Sequence, residues 1–251
     1  YSELNQSNPD FDGTSKFNGV NPATGAVLYY HLPELKADEQ VELEIKDAEG
    51  KLVRRISSKP DSLYKRYDGG PRPEPLLAKR KGLNRFVWDL RHATVPGVPG
   101  VYIESSYAGH VASPGTYSMT IRVREKQAST KAVILHNPLY ETTPANYAEY
   151  HALMSKMENE VTDMHKRVNT LFGKQKQLED LLTSLPSDTK YEALRKQGDT
   201  LLKQLKAWDE DMVQRKSKAY DDVENFPNKF TANYLFLMNQ TESSIPRVNQ
   251  P

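Results

Sequence analysis

The chain has 251 residues, with 34 Lys and Arg against 33 Asp and Glu, a formal net charge of +1 and 37% hydrophobic residues. It is long enough for one large domain or two ordinary ones, and its charge is balanced in both halves: 19 basic against 16 acidic residues up to His136, 15 against 17 after it. That balance gives no polycationic surface for nucleic acid, the absence of cysteine excludes disulfides, thiolate metal sites and cysteine nucleophiles, and no apolar run reaches the roughly 18 residues of a membrane span, so no membrane insertion is expected.

Starting at Tyr1 without a methionine, the sequence reads as a processed protein or a piece of a longer one. Residues 1–19 are rich in Asn, Asp, Ser and Gly, the composition of a flexible lead-in. From Ala26 the pattern changes to short runs of period two, beginning with a strand over Ala26 to Leu32. Val41, Leu43 and Ile45 alternate with Glu42, Glu44 and Lys46. A turn at Asp47 to Gly50 and a returning run over Lys51 to Ser58 make this a hairpin with one buried face.

Residues 59–81 hold four prolines and Gly69-Gly70, an irregular stretch long enough to be functional or to pack on a neighbour. Phe86, Trp88 and Leu90 alternate in a further strand. Val101 to Ser105 reads as a short strand, Tyr117 to Val123 as another after the Ser113-Pro114-Gly115 turn, and Lys131 to Leu135 as the last. Six or seven short strands over residues 20–136 have the spacing of an antiparallel β-sandwich of the immunoglobulin or fibronectin-III type.

The period changes after Asn137-Pro138. Thr143-Pro144 supplies a helix cap with proline in the first turn, and from Tyr147 to Leu185 a residue recurs every three, then four, positions, all apolar or aromatic except Gln175. A spacing near 3.5 keeps one seam of a helix against a partner helix. Leu185-Pro186-Ser187-Asp188 breaks the ladder, and Tyr191 to Ala219 resumes it, which predicts an antiparallel helical hairpin. A shorter third helix is expected after Phe226-Pro227, packed across the hairpin near its sheet-proximal end. The expected class is therefore α+β: a sandwich over 20–136 and a three-helix region over 137–251.

Three segments together resemble a known family: Asn21 to Tyr30 (NPATGAVLYY), Lys81 to Arg91 (KGLNRFVWDLR) and Ser113 to Val123 (SPGTYSMTIRV). They are similar to the C-terminal region of large secreted bacterial proteins whose N-terminal part is a sortilin-type propeller of BNR-like repeats, often labelled glycosyl hydrolases. The Val41 to Val123 stretch also resembles the Ig-like domain of flagellar hook-capping proteins. The resemblance implies a non-catalytic accessory module, secreted, periplasmic or at the bacterial cell surface. Its partner would be an upstream propeller of the same protein, or another protein. Sialidase-like propellers carry Asp-box repeats, and none occurs here, so any glycosidase chemistry would lie in that propeller.

Candidate site residues are few. Asp89 and Arg91 share a face if Trp88 and Leu90 take the other, and form an ion pair or backbone-bonding pair on the outer sheet. Tyr102 and Tyr107, with Tyr64 and Tyr67 of the proline-rich stretch, are the aromatics that would stack sugars if the chain is instead a carbohydrate-binding module attached to a glycoside hydrolase. Asn5 and Asn239 lie in glycosylation sequons. The six histidines have no zinc-motif spacing, although His151 and Glu158 lie one heptad apart and His165 two heptads from His151. No catalytic residue, metal or cofactor is expected.

Overall fold

The computed structural model describes residues 22–242, so the lead-in and the Asn5 sequon lie outside the described residues. Among the described residues, six strands form two antiparallel sheets. β1 (Ala26–Leu32) pairs with β4 (Gly82–Trp88). The second sheet has the order β3 (Leu52–Ser57), β2 (Val41–Lys46), β5 (Gly115–Val123), β6 (Lys126–Ile134). Alternation decides which face is buried: Tyr30 and Leu32 of β1, Leu43 and Ile45 of β2, Phe86 and Trp88 of β4, and Tyr117 and Met119 of β5 meet in one core shared by both sheets. Trp88 is wholly buried, meets Tyr117 edge-on at 5.3 Å between ring centres, and donates its indole N–H to the carbonyl of Arg91 at 2.9 Å.

Three expectations are corrected. β4 stops at Trp88 because Leu90 takes a left-handed φ of 62° and turns the chain out of the sheet. β6 begins at Lys126, five residues earlier than expected: it is an edge strand whose first six residues are exposed, so no apolar alternation marks it. Val101 to Ser105 forms no strand; Val101 and Ile103 are buried among the helices.

α1 spans Pro144–Ser184, 41 residues, or about 60 Å at 1.5 Å per residue. Its start is a capping box, in which the Thr143 hydroxyl accepts from the Asn146 N–H while the Asn146 side chain accepts from the Thr143 N–H. It ends before Pro186, and after a 3-10 turn at Thr189–Tyr191 the chain returns as α2 (Glu192–Met212). α2 is shorter than the periodicity implied. Val213 turns extended and enters the core, while Arg215 folds back to the Asp209 carboxylate and lies 3.6 Å over the Phe172 ring.

After a single turn, α3 (Asp222–Asn225), the short helix α4 (Phe230–Thr241) buries Thr231, Ala232, Leu235 and Met238 against the hairpin. The second core lies there. It joins Tyr150, Met154, Val161 and Val168 of α1 and Leu235 and Met238 of α4 to Val95, Val98, Val101, Ile103 and Tyr107 of the β4–β5 connection. The connection between two strands thus serves as the fourth wall of the helical region. Farther out the hairpin is thin: Met164, Leu171, Leu178 and Trp208 are half-buried, and Leu181, Leu194 and Leu201 are exposed. No described helix is long and apolar enough to cross a membrane.

Candidate functional site

The β4–β5 connection folds back on itself. Ala112 N–H donates to Leu90 O, His92 N–H to His110 O and Val95 N–H to Tyr107 O, which sets residues 90–95 against 107–112. Gly109 permits the approach, since a Cβ there would stand 2.6 Å from the carbonyl carbon of His92 and the oxygen of Ala93. The pairing stacks the His92 and His110 rings, 4.0 Å apart and 11° from parallel.

α1 completes the arrangement. Glu158 Oε1 accepts from the backbone N–H of His110 at 2.6 Å and from its ring Nδ1 at 2.8 Å, so an ionised Glu158 holds the His110 proton on Nδ1 and leaves Nε2 with its lone pair free. That Nε2 lies 2.8 Å from Nδ1 of His151, seven residues before Glu158 on the same helix. One nitrogen from each of His92, His110 and His151 lies within 4.8 Å of the others.

Burial sets the protonation of the cluster. It pushes His92 down to about 3, with the neighbouring His110 and His151 adding to the effect, and it also lowers His151, with His110 second. Both shifts favour the neutral ring at His92 and His151, the form in which imidazole binds metal. His92 and His151 also line a cleft of about 630 Å³ between the β2–β3 turn, the start of β5 and the first turns of α1. The fold thus brings together three histidines whose spacing in the sequence carries no trace of a cluster assembled from residues 92, 110 and 151. The one sequence signal was the heptad that puts His151 and Glu158 on one face of α1.

The predicted site residues are dispersed. Asp89 and Arg91 are joined through the Arg91 backbone N–H and not by an ion pair between their side chains. Asp89 Oδ1 accepts from Arg54 at 2.7 Å and from the Arg91 backbone N–H at 3.0 Å, whereas the Arg91 guanidinium donates to Gly109 O and to Glu242 beyond the end of α4. The left-handed Leu90 between them breaks the alternation that would have put both on one sheet face. Tyr107 is buried in the second core and offers no face to a sugar. Tyr67 is half-buried against Gly70 and Gly97, Tyr64 donates to Pro71 O at 3.0 Å, and Tyr102 packs against Gly69. The Asn239 amide donates to Ser105 Oγ, Ser106 O and Leu235 O.

Comparison with protein-family models, with curated proteins and with solved structures finds no match for this chain.

Proposed function

We propose that this chain is a non-catalytic accessory module of a larger secreted propeller protein, and that it works by docking on a folded domain N-terminal to it. In this reading the two sheets are the halves of an Ig-like sandwich. Supporting that assignment are the shared core around Trp88 and the Tyr117 hydroxyl, which donates 2.7 Å back to Ser113 O as a tyrosine corner does.

The observation that carries the docking reading is the outer face of the β1–β4 sheet. Tyr29 is 60% exposed, Leu83 68% and Val27 42%, and the register sets Val27 beside Val87, Tyr29 beside Arg85 and His31 beside Leu83, so these side chains share one face. The other sheet is different: its outer face on β2 and β5 carries Glu44, covered by Arg55, Arg122 and Lys46. The second sheet exposes large apolar side chains only on its two edge strands, at Leu52 and Val133, whereas Val27, Tyr29 and Leu83 form one patch on the sheet that the chain enters first, the side on which a preceding domain would attach. The three segments that resemble propeller-protein C-terminal regions supply the class of that domain.

The test is association in trans. The 251-residue chain is mixed with the separately expressed propeller region of the same gene, and binding is measured by sedimentation. Tyr29→Glu combined with Leu83→Glu should weaken binding at least tenfold while leaving the melting temperature unchanged. A gene with no propeller upstream, or undiminished binding by the double variant, would overturn the reading.

A further inference from the structure

We propose that His92, His110 and His151 form a binding site for a divalent metal ion of the Zn²⁺ class, which pins the β4–β5 connection to the first turns of α1. The site is independent of the docking face and lies on other residues.

Four features carry it. The donors are right in kind: three imidazoles, each offering one nitrogen, converge within 4.8 Å of one another. Tetrahedral ligands at roughly 2.0–2.1 Å from zinc stand about 3.3 Å apart, so the 2.8 Å between His110 Nε2 and His151 Nδ1 must open slightly and the longest separation must close. His151 sits half-buried on a helix face and His92 half-buried just after the Arg91–Val111 bridge, and both can make that adjustment by side-chain rotation.

The central ligand is held by a carboxylate. Glu158 fixes the His110 proton on Nδ1, aims Nε2 at the other two rings, and thereby supplies the carboxylate–histidine pairing that metal-binding histidines use to set tautomer and basicity. Without a metal, His151 Nδ1–H donates to His110 Nε2. A cation takes the place of that proton on Nδ1 and the His151 ring carries its proton on Nε2 instead, a change of tautomer that releases no net proton.

The local charge suits a cation. Glu158 and Asp47 face the cluster, with Lys51 opposing them and Lys156 on the same cleft as His151. The fourth coordination position opens toward the cleft that His92 and His151 line, so three protein ligands and one water are the natural set, the pattern of open zinc sites.

The experiment uses the full chain and metal alone. Zn²⁺ titration by calorimetry should show one ion per chain, with a rise in melting temperature. Co²⁺ should give the intense visible absorption of a four-coordinate ion. His151→Ala should lower affinity at least 100-fold, and His31→Ala, an exposed histidine on β1, should leave it unchanged. Glu158→Gln keeps an oxygen to accept both His110 bonds, so the fold persists while affinity falls about 10- to 100-fold. The proposal is overturned if wild type binds no more Zn²⁺ than His151→Ala, if His31→Ala removes the binding, or if Co²⁺ keeps the weak spectrum of its six-coordinate aqua ion.

Discussion

His165 donates from Nδ1 to the carbonyl of Pro96 at 2.6 Å, and with the Asn169 amide on Gly97 O it fastens the β4–β5 connection to the middle of α1. The ring is wholly buried beside Tyr107, and its Nε2 has no hydrogen-bond partner among the described residues. A polar ring thus does the work of an apolar one at the centre of the second core, on condition that it stays neutral.

That condition makes stability depend on pH. Burial lowers the His165 pKa below its ordinary 6.5, and the bond to Pro96 opposes this only in part. A folded-state pKa below the unfolded one means that the unfolded chain takes up more protons. The contribution is therefore complete above 6.5 and is lost as pH falls below it. His165→Gln, whose amide can still donate to Pro96 O, should be less stable than wild type by about 1–2 kcal/mol near neutral pH. The gap should narrow in acid, because other histidines titrate alike in both proteins. Urea midpoints across pH measure it, and a gap that is constant with pH would contradict the assignment.

Gly198 sets the spacing of the hairpin. A Cβ on it would lie 2.5 Å from Leu182 Cδ2 on the facing helix. Gly198→Ala gains about 1 kcal/mol of helix propensity, which moving the half-buried Leu182 offsets, so its melting temperature should stay close to wild type. Gly198→Leu cannot be accommodated by one side chain and should destabilise by about 1–3 kcal/mol. Far-UV circular dichroism melts of the two variants decide this; a tolerated leucine would mean that the distal hairpin is not packed through Gly198.

Glu44 is shielded by arginine side chains on the outer sheet face rather than by the core. The hydrogen bond from Arg55 is the main cause of its lowered pKa, with Arg122 and Lys46 adding to it. A lowered carboxyl pKa stabilises above the ordinary carboxylate range and is lost as pH falls through the folded value. Glu44→Gln should lower the melting temperature at neutral pH, by less in high salt and by little in acid. Thermal scans over salt and pH check it, and a loss independent of both would point to packing rather than charge.

The sequence showed most of what periodicity can carry. Leu43 and Ile45 alternate because one sheet face is buried, and Tyr150, Met154, Val161 and Val168 recur because α1 keeps one seam inward. It misled where burial came from a distant segment. Val101 and Ile103 alternate like a strand, yet they belong with Tyr150 and Leu235 to a core that no local window contains. It was silent on Lys126 to Ser129, exposed on both faces of an edge strand. The histidine cluster was illegible for the first of these reasons, since the contact of His92 and His110 with His151 is a property of the chain's path and not of its spacing.

The cores also predict how the chain divides. Cut after His136, residues 1–136 keep every member of the Trp88 core, whereas residues 137–251 lose Val95, Val98, Val101, Ile103 and Tyr107, one wall of theirs. Burying such a side chain is worth roughly 1.5–3 kcal/mol, and losing five exceeds the margin of most domains of this size. The first fragment should therefore melt cooperatively, reported by Trp88, its only tryptophan, while binding a hydrophobic dye through the stranded connection. The second should lose cooperativity. Mixing the two should restore helix signal and displace the dye. If residues 137–251 alone melt as sharply and as high as the intact chain, the β4–β5 connection is not part of the helical core.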